Sequence, residues 1–378
     1  RFDGYQYAYQ IYTYDEASDT YNGTNAAGRW RLQIDRSVPT RYMQLQLNYN
    51  KQIKDHNISA VLGYEASDYD WSKKTYGTEP STDYLPLLQM DEINSFGDEW
   101  SYEARAGWLA RVNYDYAHKY LVELLARYDG SYLYAPSQRW GFFPGASIGW
   151  RISEENFFAP LKIRASIGQT GTESGVSLFG YLSGYNWNQG SAVLDGEYVT
   201  GLNQRGLPVT NLSWTKNTTK NIGFDLTMFG NRLTISADAF RKDITGVPAA
   251  RYDVLLPSEV GYSLPNENLN KQAYIGTEAM ATWTDHIGDF NYRVSGNITF
   301  SRYRNIESYK PRFSNSWDEY RNSSEDRWGG IYWGYQVIGQ FQSEEEIKNY
   351  PVNLDGQGNT TLLPGDLIYK DVNNDGVI

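Results

Sequence analysis

Cysteine is absent from the 378 residues, so disulfide frameworks, zinc knuckles and thiol chemistry are excluded. Histidine is scarce: His56, His118 and His286 stand far apart, with no H-E-x-x-H or comparable metal spacing. Basic residues are outnumbered 34 to 45, for a formal charge of -11, which argues against a nucleic-acid binder that must neutralise phosphates. No apolar run approaches the roughly 20 residues of a membrane helix. Helical periodicity is almost missing. So is an initiator: the sequence opens on Arg1, shows no signal peptide and stops at Ile378 inside what reads as a motif, as expected of an internal segment of a longer protein.

The length alone allows two or three soluble domains or one large β architecture. A mean hydropathy of -0.62 is usual for a soluble chain. Yet the sequence carries 33 Tyr, 12 Trp and 14 Phe, an aromatic share of 16%. A membrane β-barrel accommodates both facts, because lipid-facing and lumen-facing residues alternate and cancel in any average.

Segments of period 2 recur from end to end. Trp108, Ala110, Val112, Tyr114 and Tyr116 share one parity, with Leu109, Arg111, Asn113 and Asp115 on the other. The division repeats at Tyr120–Asp129, Leu161–Gly168, Asn221–Met228, Arg232–Ala239 and Phe290–Phe300. Connections alternate between short (117–119, 153–160, 229–231, 285–289) and long (130–141, 170–215, 243–272, 302–330). Short turns at one end and long loops at the other suit an outer-membrane barrel with short periplasmic turns and long extracellular loops. A soluble β-sandwich is the alternative. Tyr114, Tyr116, Tyr120, Phe157 and Phe158 gather near the short turns, as an interfacial girdle would, while mid-strand positions are Ala, Val, Leu and Ile.

Gly145-Ala-Ser-Ile-Gly149 satisfies G-x-S-x-G, the nucleophile elbow of serine hydrolases. An elbow needs a strand, a sharp turn and a helix; here the alternation runs straight through Ser147 to Trp150 and Ile152, so we assign no catalytic residue and expect no enzyme. Ser343 with Glu346 reads as a capping box opening a short helix rather than as an acidic site. Asp371, Asn373 and Asp375, followed by Gly376, resemble the first positions of a calcium loop, so calcium is a candidate ion although no cofactor is required. The alternative is an Asx-rich turn closed by its own backbone. Two ring clusters in the long loops are candidate ligand-stacking surfaces for a sugar or peptide: Phe179, Tyr181, Tyr185 and Trp187, then Trp328, Tyr332, Trp333 and Tyr335. Packing within the loops is the other reading.

The stretches NYDYAHKYLVELLARYDGS, RWGFFPGASIGWRISEENFF, LKIRASIGQTGT, NIGFDLTMFGNRLTISADAFRKD, GYQVIGQFQSEEEI and PGDLIYKDVNNDGVI, in that order, resemble the barrel of SusC/RagA-type TonB-dependent outer-membrane transporters. The resemblance spans nearly the whole chain. It implies an all-β fold, a transmembrane antiparallel barrel of about 22 strands, of which this segment holds about a dozen. It also implies a cell outer membrane location, a SusD-like lipoprotein lid, the TonB complex as energy source, and uptake of oligosaccharides or peptides. A plug, a TonB box and C-terminal strands are not found in the sequence, so the segment is not expected to transport alone, and an open sheet edge is expected at each end. Expected lumen residues are Arg111, Glu123, Arg127, Arg151, Lys162, Arg164, Asp225, Arg232 and Asp238, whose plain role is ion pairing within the wall or against a plug. A structural or adhesive barrel and a soluble carbohydrate-binding β domain are the rival functions.

Overall fold

The structure, a computed structural model, describes residues 2–7, 9–80, 93–154, 160–252, 254, 256–310 and 312–378. It forms two compact units, residues 1–312 with 325–327, and residues 313–324 with 328–378.

β-branched and aromatic residues at every second position favour extended backbone, and strands dominate the described residues of the first unit. In chain order it contains β1 (Phe2–Gln6), β2 (Tyr9–Asp15), β3 (Thr20–Ala27), β4 (Trp30–Ser37), β5 (Thr40–Ile53) and β6 (His56–Thr78). There follow β7 (Ile93–Tyr116), β8 (Tyr120–Ser131), β9 (Trp140–Arg151), β10 (Leu161–Thr172), β11 (Tyr185–Leu194) and β12 (Glu197–Gln204). The unit closes with β13 (Thr215–Met228), β14 (Leu233–Ala249), β15 (Glu267–Ile287) and β16 (Phe290–Glu307).

Among the described residues, twelve of these strands make one sheet in the order β1-β4-β6-β7-β8-β9-β10-β13-β14-β15-β16, with β5 also on β6. Every pairing in it is antiparallel. β4 and β5 follow one another along β6, interrupted at Val38 and Pro39, since proline has no N–H for a ladder. The Pro39 carbonyl still accepts from the Asp70 N–H at 3.2 Å. The hairpins β2–β3 and β11–β12 stand off the sheet as separate two-stranded units.

Short turns join β5 to β6, β7 to β8, β13 to β14 and β15 to β16, all at one end. They bend through left-handed backbone at Lys54, at Ala117 and His118, at Phe229, Gly230 and Asn231, and at Gly288, matching the right-handed twist of the flanking strands. The β9–β10 connection starts at the same end, but Phe157 and Phe158 lie outside the described residues. The long connections leave from the other end. They are shorter than the alternation suggests, because β10 runs on to Thr172, β14 runs on to Ala249 and β15 begins at Glu267.

Register sorts the side chains. On β9, Ala146, Ile148 and Trp150 lie opposite Leu124, Val122 and Tyr120 of β8, and opposite Ile167, Ala165 and Ile163 of β10. That face is open and apolar: Ile148 is 61% exposed. Two rows of rings bound it. Tyr116, Tyr120 and Trp150 stack at 6.4 Å along the short-turn end. Tyr64 packs on Trp108 at 4.8 Å and Tyr128 on Trp140 at 5.0 Å along the other. Tyr120 to Tyr128 is eight steps of about 3.4 Å on a strand tilted near 40°, roughly 21 Å of height, close to an outer-membrane apolar band. Above the upper rings β6 turns to Asp68 and Asp70 on the same face; Asp68 is held by Arg41 and Asp70 accepts from Trp100 Nε1 at 2.8 Å.

The second unit contains α1 (Ser316–Asn322), β17 (Val337–Gln340), α2 (Glu344–Asn349) and β18 (Leu367–Tyr369) around Phe341, Ile347 and Ile368. Ser343 caps α2, its Oγ accepting from the Glu346 N–H at 3.2 Å, while Glu346 Oε2 reaches back to the Gln342 N–H, one residue before the cap, at 2.7 Å.

The assignment of faces is tested by Ile148→Arg and Ser147→Arg in the full-length protein folded into vesicles. Ile148→Arg should lose about 2–4 kcal/mol in a denaturant titration, and Ser147→Arg far less; equal losses would remove the assignment.

Candidate functional site

The face opposite the apolar band carries charge, and its strands place acids and bases two residues out of register so that they meet diagonally. Arg164 on β10 reaches Asp225 on β13 at 3.3 Å and Asp238 on β14, and Ser236 Oγ donates to Asp225 at 2.9 Å. Arg164 must cross β13 to do so, and the residue opposite it there is Gly223. A Cβ at Gly223 would lie 2.7 Å from the Ala237 carbonyl and against the Asp238 carboxylate. The glycine therefore makes room for a three-strand ion cluster.

Arg127 on β8 repeats the device. It holds Asp129 at 2.9 Å and spans β7 to Glu65 on β6. Glu65, Gly107 and Asp129 lie in one row, with the glycine again in the middle. Arg111 pairs with Glu123. Of the nine expected lumen residues, then, Arg164, Asp225 and Asp238 meet in one cluster, while Arg111 and Glu123 form a separate pair. Arg127 meets Asp129, which shares its parity in the sequence pattern, and Glu65, which pattern reading did not reach. Lys162 lies opposite Asp225, Arg151 donates to the His118 carbonyl at 3.4 Å, and Arg232 pairs with Asp285 at 3.1 Å near a short turn.

Nearer the long-loop end, Tyr134, Phe143, Leu212 and Trp214 form a buried cluster with Val176 and Val209. Phe143 is 3% exposed although it belongs to β9, because its parity points away from the apolar band. Trp214 Nε1 donates to the Arg139 carbonyl at 3.0 Å, and Asn268 ties Ser213 through both its backbone groups at 2.8 and 3.0 Å. The Phe143 ring lies over Gly141 and Gly171, where any Cβ would overlap it. Beside the cluster Arg105 forks onto Glu173 at 2.6 and 3.1 Å and contacts Glu103 at 3.0 Å. Burial there pushes the Tyr132 hydroxyl up to about 12 and raises that of Tyr134 as well, so both stay protonated. Sequence reading missed this cluster. Its one signal was an aromatic among the small residues of the inward parity of β9.

The two ring clusters fall in different units. Tyr185 and Trp187 project from β11, 70% and 74% exposed, while Phe179 and Tyr181 are half-buried in the turn before it. In the second unit Trp333 is partly engaged: its Nε1 donates to the Arg321 carbonyl at 3.0 Å and its ring meets Tyr320 edge-on at 5.1 Å, yet it remains 47% exposed. Tyr335 packs on Tyr369 at 5.2 Å, Trp328 is half-buried, and Tyr332 is 91% exposed.

Asp371 Oδ1 and Oδ2 accept from the N–H groups of Asn374 and Gly376 at 2.7 and 2.8 Å; Asp375 accepts from Asn373 Nδ2 and from the Val377 N–H. The donors, Gly376 first, hold the Asp371 carboxyl below the usual range. At Asp355 desolvation pushes upward, but the N–H groups of Thr361 and Gln357 outweigh it and leave that carboxyl well below the range too. Both turns therefore keep their closing bonds above the unfolded carboxylate pKa, near 4, and lose them only as pH falls through the lower folded value. Among the described residues no group of three or more His, Asp or Glu is arranged to hold a metal ion.

Ser147 sits mid-strand between Glu123 and Ser166. No turn or helix follows it at once, and His56, His118 and His286 all lie at short turns. No elbow is formed.

An antiparallel sheet with an outward apolar band between two rows of rings, a charged inner face, short turns at one end and long loops at the other is a segment of an outer-membrane β-barrel wall. The sequence profile described as "TonB dependent receptor-like, beta-barrel" matches residues 1–370, and the chain belongs to that family. The TonB-dependent receptor P39 of Formosa agariphila is 28% identical over 379 residues, covering 87% of this chain and 34% of that protein. The TonB-dependent receptor SusC of Bacteroides thetaiotaomicron is 30% identical over 296 residues, covering 74% and 28%. Among solved structures, the RagAB peptide importer in its 'open-open' state superposes with a TM-score of 0.66 at 19% identity, over 75% of this chain and 32% of that one. The chain spans about a third of the length of the curated relatives it matches. These relatives are receptors and transporters, not enzymes, and the soluble β-domain reading is set aside.

The seat of Phe143 is tested by a double-mutant cycle in the full-length protein. Gly171→Ala should cost about 1–3 kcal/mol by overpacking, and much less in a Phe143→Ala background. Strict additivity would show that ring and glycine do not meet.

Proposed function

We propose that the full-length protein imports an oligosaccharide or peptide across the outer membrane, powered by the TonB complex and covered by a SusD-like lipoprotein. The observation that carries this reading is the self-satisfied charge of the inner wall. Arg164, Arg127 and Arg111 are all engaged by wall carboxylates. Such a wall is wet without offering strong sites, so a ligand slides along it, and selection falls to the loops. Tyr185 and Trp187 present open ring faces there, suited to stacking on a sugar face or a peptide side chain. Family membership and the likeness to SusC support the energy source and the partner.

The test uses cells expressing the full-length receptor with its neighbouring SusD-like protein. Uptake of labelled oligosaccharides and peptides should require TonB, and Tyr185→Ala with Trp187→Ala should weaken capture about 2- to 10-fold per ring. Undiminished uptake without TonB would refute the proposal. Loss of surface adhesion with uptake absent throughout would favour an adhesive barrel instead.

Calcium belongs to this reading as a proposal for Asp371, Asn373 and Asp375, where it would clamp the turn with carboxylate and amide oxygens. Adding a chelator should then speed hydrogen exchange at residues 371–377 of the full-length protein. Unchanged exchange would assign the turn to its own hydrogen bonds.

A further inference from the structure

The outward face of the wall is uneven at the height where its apolar band ends. On β13, β14 and β16 the first outward side chain above the last apolar one is Lys220, Arg241 and Arg302 respectively, following Ile222, Ala239 and Phe300. Register puts them in one row: Lys220 opposite Arg241, Arg241 opposite Ile275, Ile275 opposite Arg302. At about 4.8 Å per strand the three cations span roughly 14 Å. At the corresponding boundary β6 presents Asp68, engaged by Arg41 of β5, and Asp70, so the row of three cations belongs to one side of the wall. The chain as a whole is acidic, with a net charge of -11.

Beneath the row runs a trough. The two central strands carry small residues, Ala237 and Ala239 on β14 and Ala279 on β15, between bulky Phe224 on β13 and Ile298 on β16. The lower part, with a volume of ≈ 710 Å³, has an almost wholly apolar lining; the upper part, ≈ 750 Å³, includes all three cations. Ile222, Ala239, Thr277 and Phe300 line both, so the two are continuous. The cationic end is opposite the short turns, hence at the outer leaflet.

We propose that this trough binds a phosphorylated lipid of the outer leaflet, its phosphate on Lys220, Arg241 and Arg302 and an acyl chain along Ala239 and Ala279. Arginine forks suit phosphate oxygens, and cations just outside an apolar surface attract anionic headgroups. The carboxylate facing the row is Asp243, which engages Arg241 through Nε at 2.8 Å; the next outward cation, Arg304, is held by Asp326 at 2.7 Å. The row thus presents three cations, Arg241 among them engaged by Asp243, beside the apolar trough. A free anion would need no trough, whereas a lipid uses both parts.

The experiment is native mass spectrometry of the full-length receptor in mild detergent, titrated with phosphorylated lipid A and with its dephosphorylated form. Wild type should retain the phosphorylated lipid about tenfold or more better than the dephosphorylated one, and K220Q/R241Q/R302Q should lose that preference. Ala279→Phe, which fills the trough and keeps the charges, should also weaken retention. Arg41→Gln, an outward cation across the wall, should not. Heat-modifiable gel migration verifies that each variant is folded. Equal retention by the triple variant, equal binding of the two lipids, or displacement by millimolar inorganic phosphate would overturn the proposal. Uptake assayed in the same variants separates this outcome from the transport reading, which stands or falls by TonB dependence.

Discussion

In hydrocarbon a backbone N–H without a partner costs several kcal/mol, and no water is present to relieve it. Each strand of this wall meets that constraint through the next one, in ladders that run from β6 to β16 and shift register only near the long-loop end, beyond the apolar band. The side chains inherit their arrangement from it. Once the ladder fixes the pleat, successive residues must face lipid and lumen in turn, and a slip of one residue would put Arg164 in the bilayer and Ile163 in the lumen. The rings at Tyr116, Tyr120 and Trp150 and at Tyr64 and Trp108 then fix depth, because an amphipathic ring is best placed where hydrocarbon gives way to headgroups.

Charge on the inner face is arranged by the same register. Arg164 and Arg127 each reach acids on two strands, and the strand crossed offers glycine at the crossing, Gly223 in one case and Gly107 in the other. Glycine in a strand is unfavourable in itself. Here it is offset by ion pairs that would otherwise be blocked by a side chain. The Phe143 ring over Gly141 and Gly171 follows the same logic with an aromatic in place of a guanidinium.

Much of this was legible in the sequence. Period 2 marked β7 to β10, β13, β14 and β16, but not β15 or the hairpin β11–β12, which lies inside the long connection 170–215; the alternation of short and long connections placed both ends of the barrel wall. The G-x-S-x-G match dissolved on parity alone: Gly145, Ser147 and Gly149 are the small members of the inward face. The early strands β4 to β6 were harder, because above the membrane both of their faces are polar and the apolar signal covers only Ile58 to Ala66. The candidate site was less legible. Which acid meets Arg127 depends on register between β6 and β8, which are not neighbours in sequence. Phe143 and Trp214 meet only because a loop of more than 40 residues folds back between β10 and β13, a contact that no local pattern encodes. Ring clusters were visible, but whether a ring is open like Tyr185 or half-buried like Tyr181 is decided by tertiary neighbours.

For the proposed import, the wall also bears on where specificity would reside. A strand position inside the bilayer has two uses, lipid contact or lumen lining, and both are constrained by the ladder. The lumen side spends its charge on neighbouring strands, which stiffens the wall and leaves few donors for a ligand. The hairpin β11–β12 has no such duty: it pairs only with itself, and its rings can change without disturbing the sheet. In the proposed import the long loops would thus take up the ligand's chemistry, while the sheet supplies a frame whose outer surface answers to the membrane.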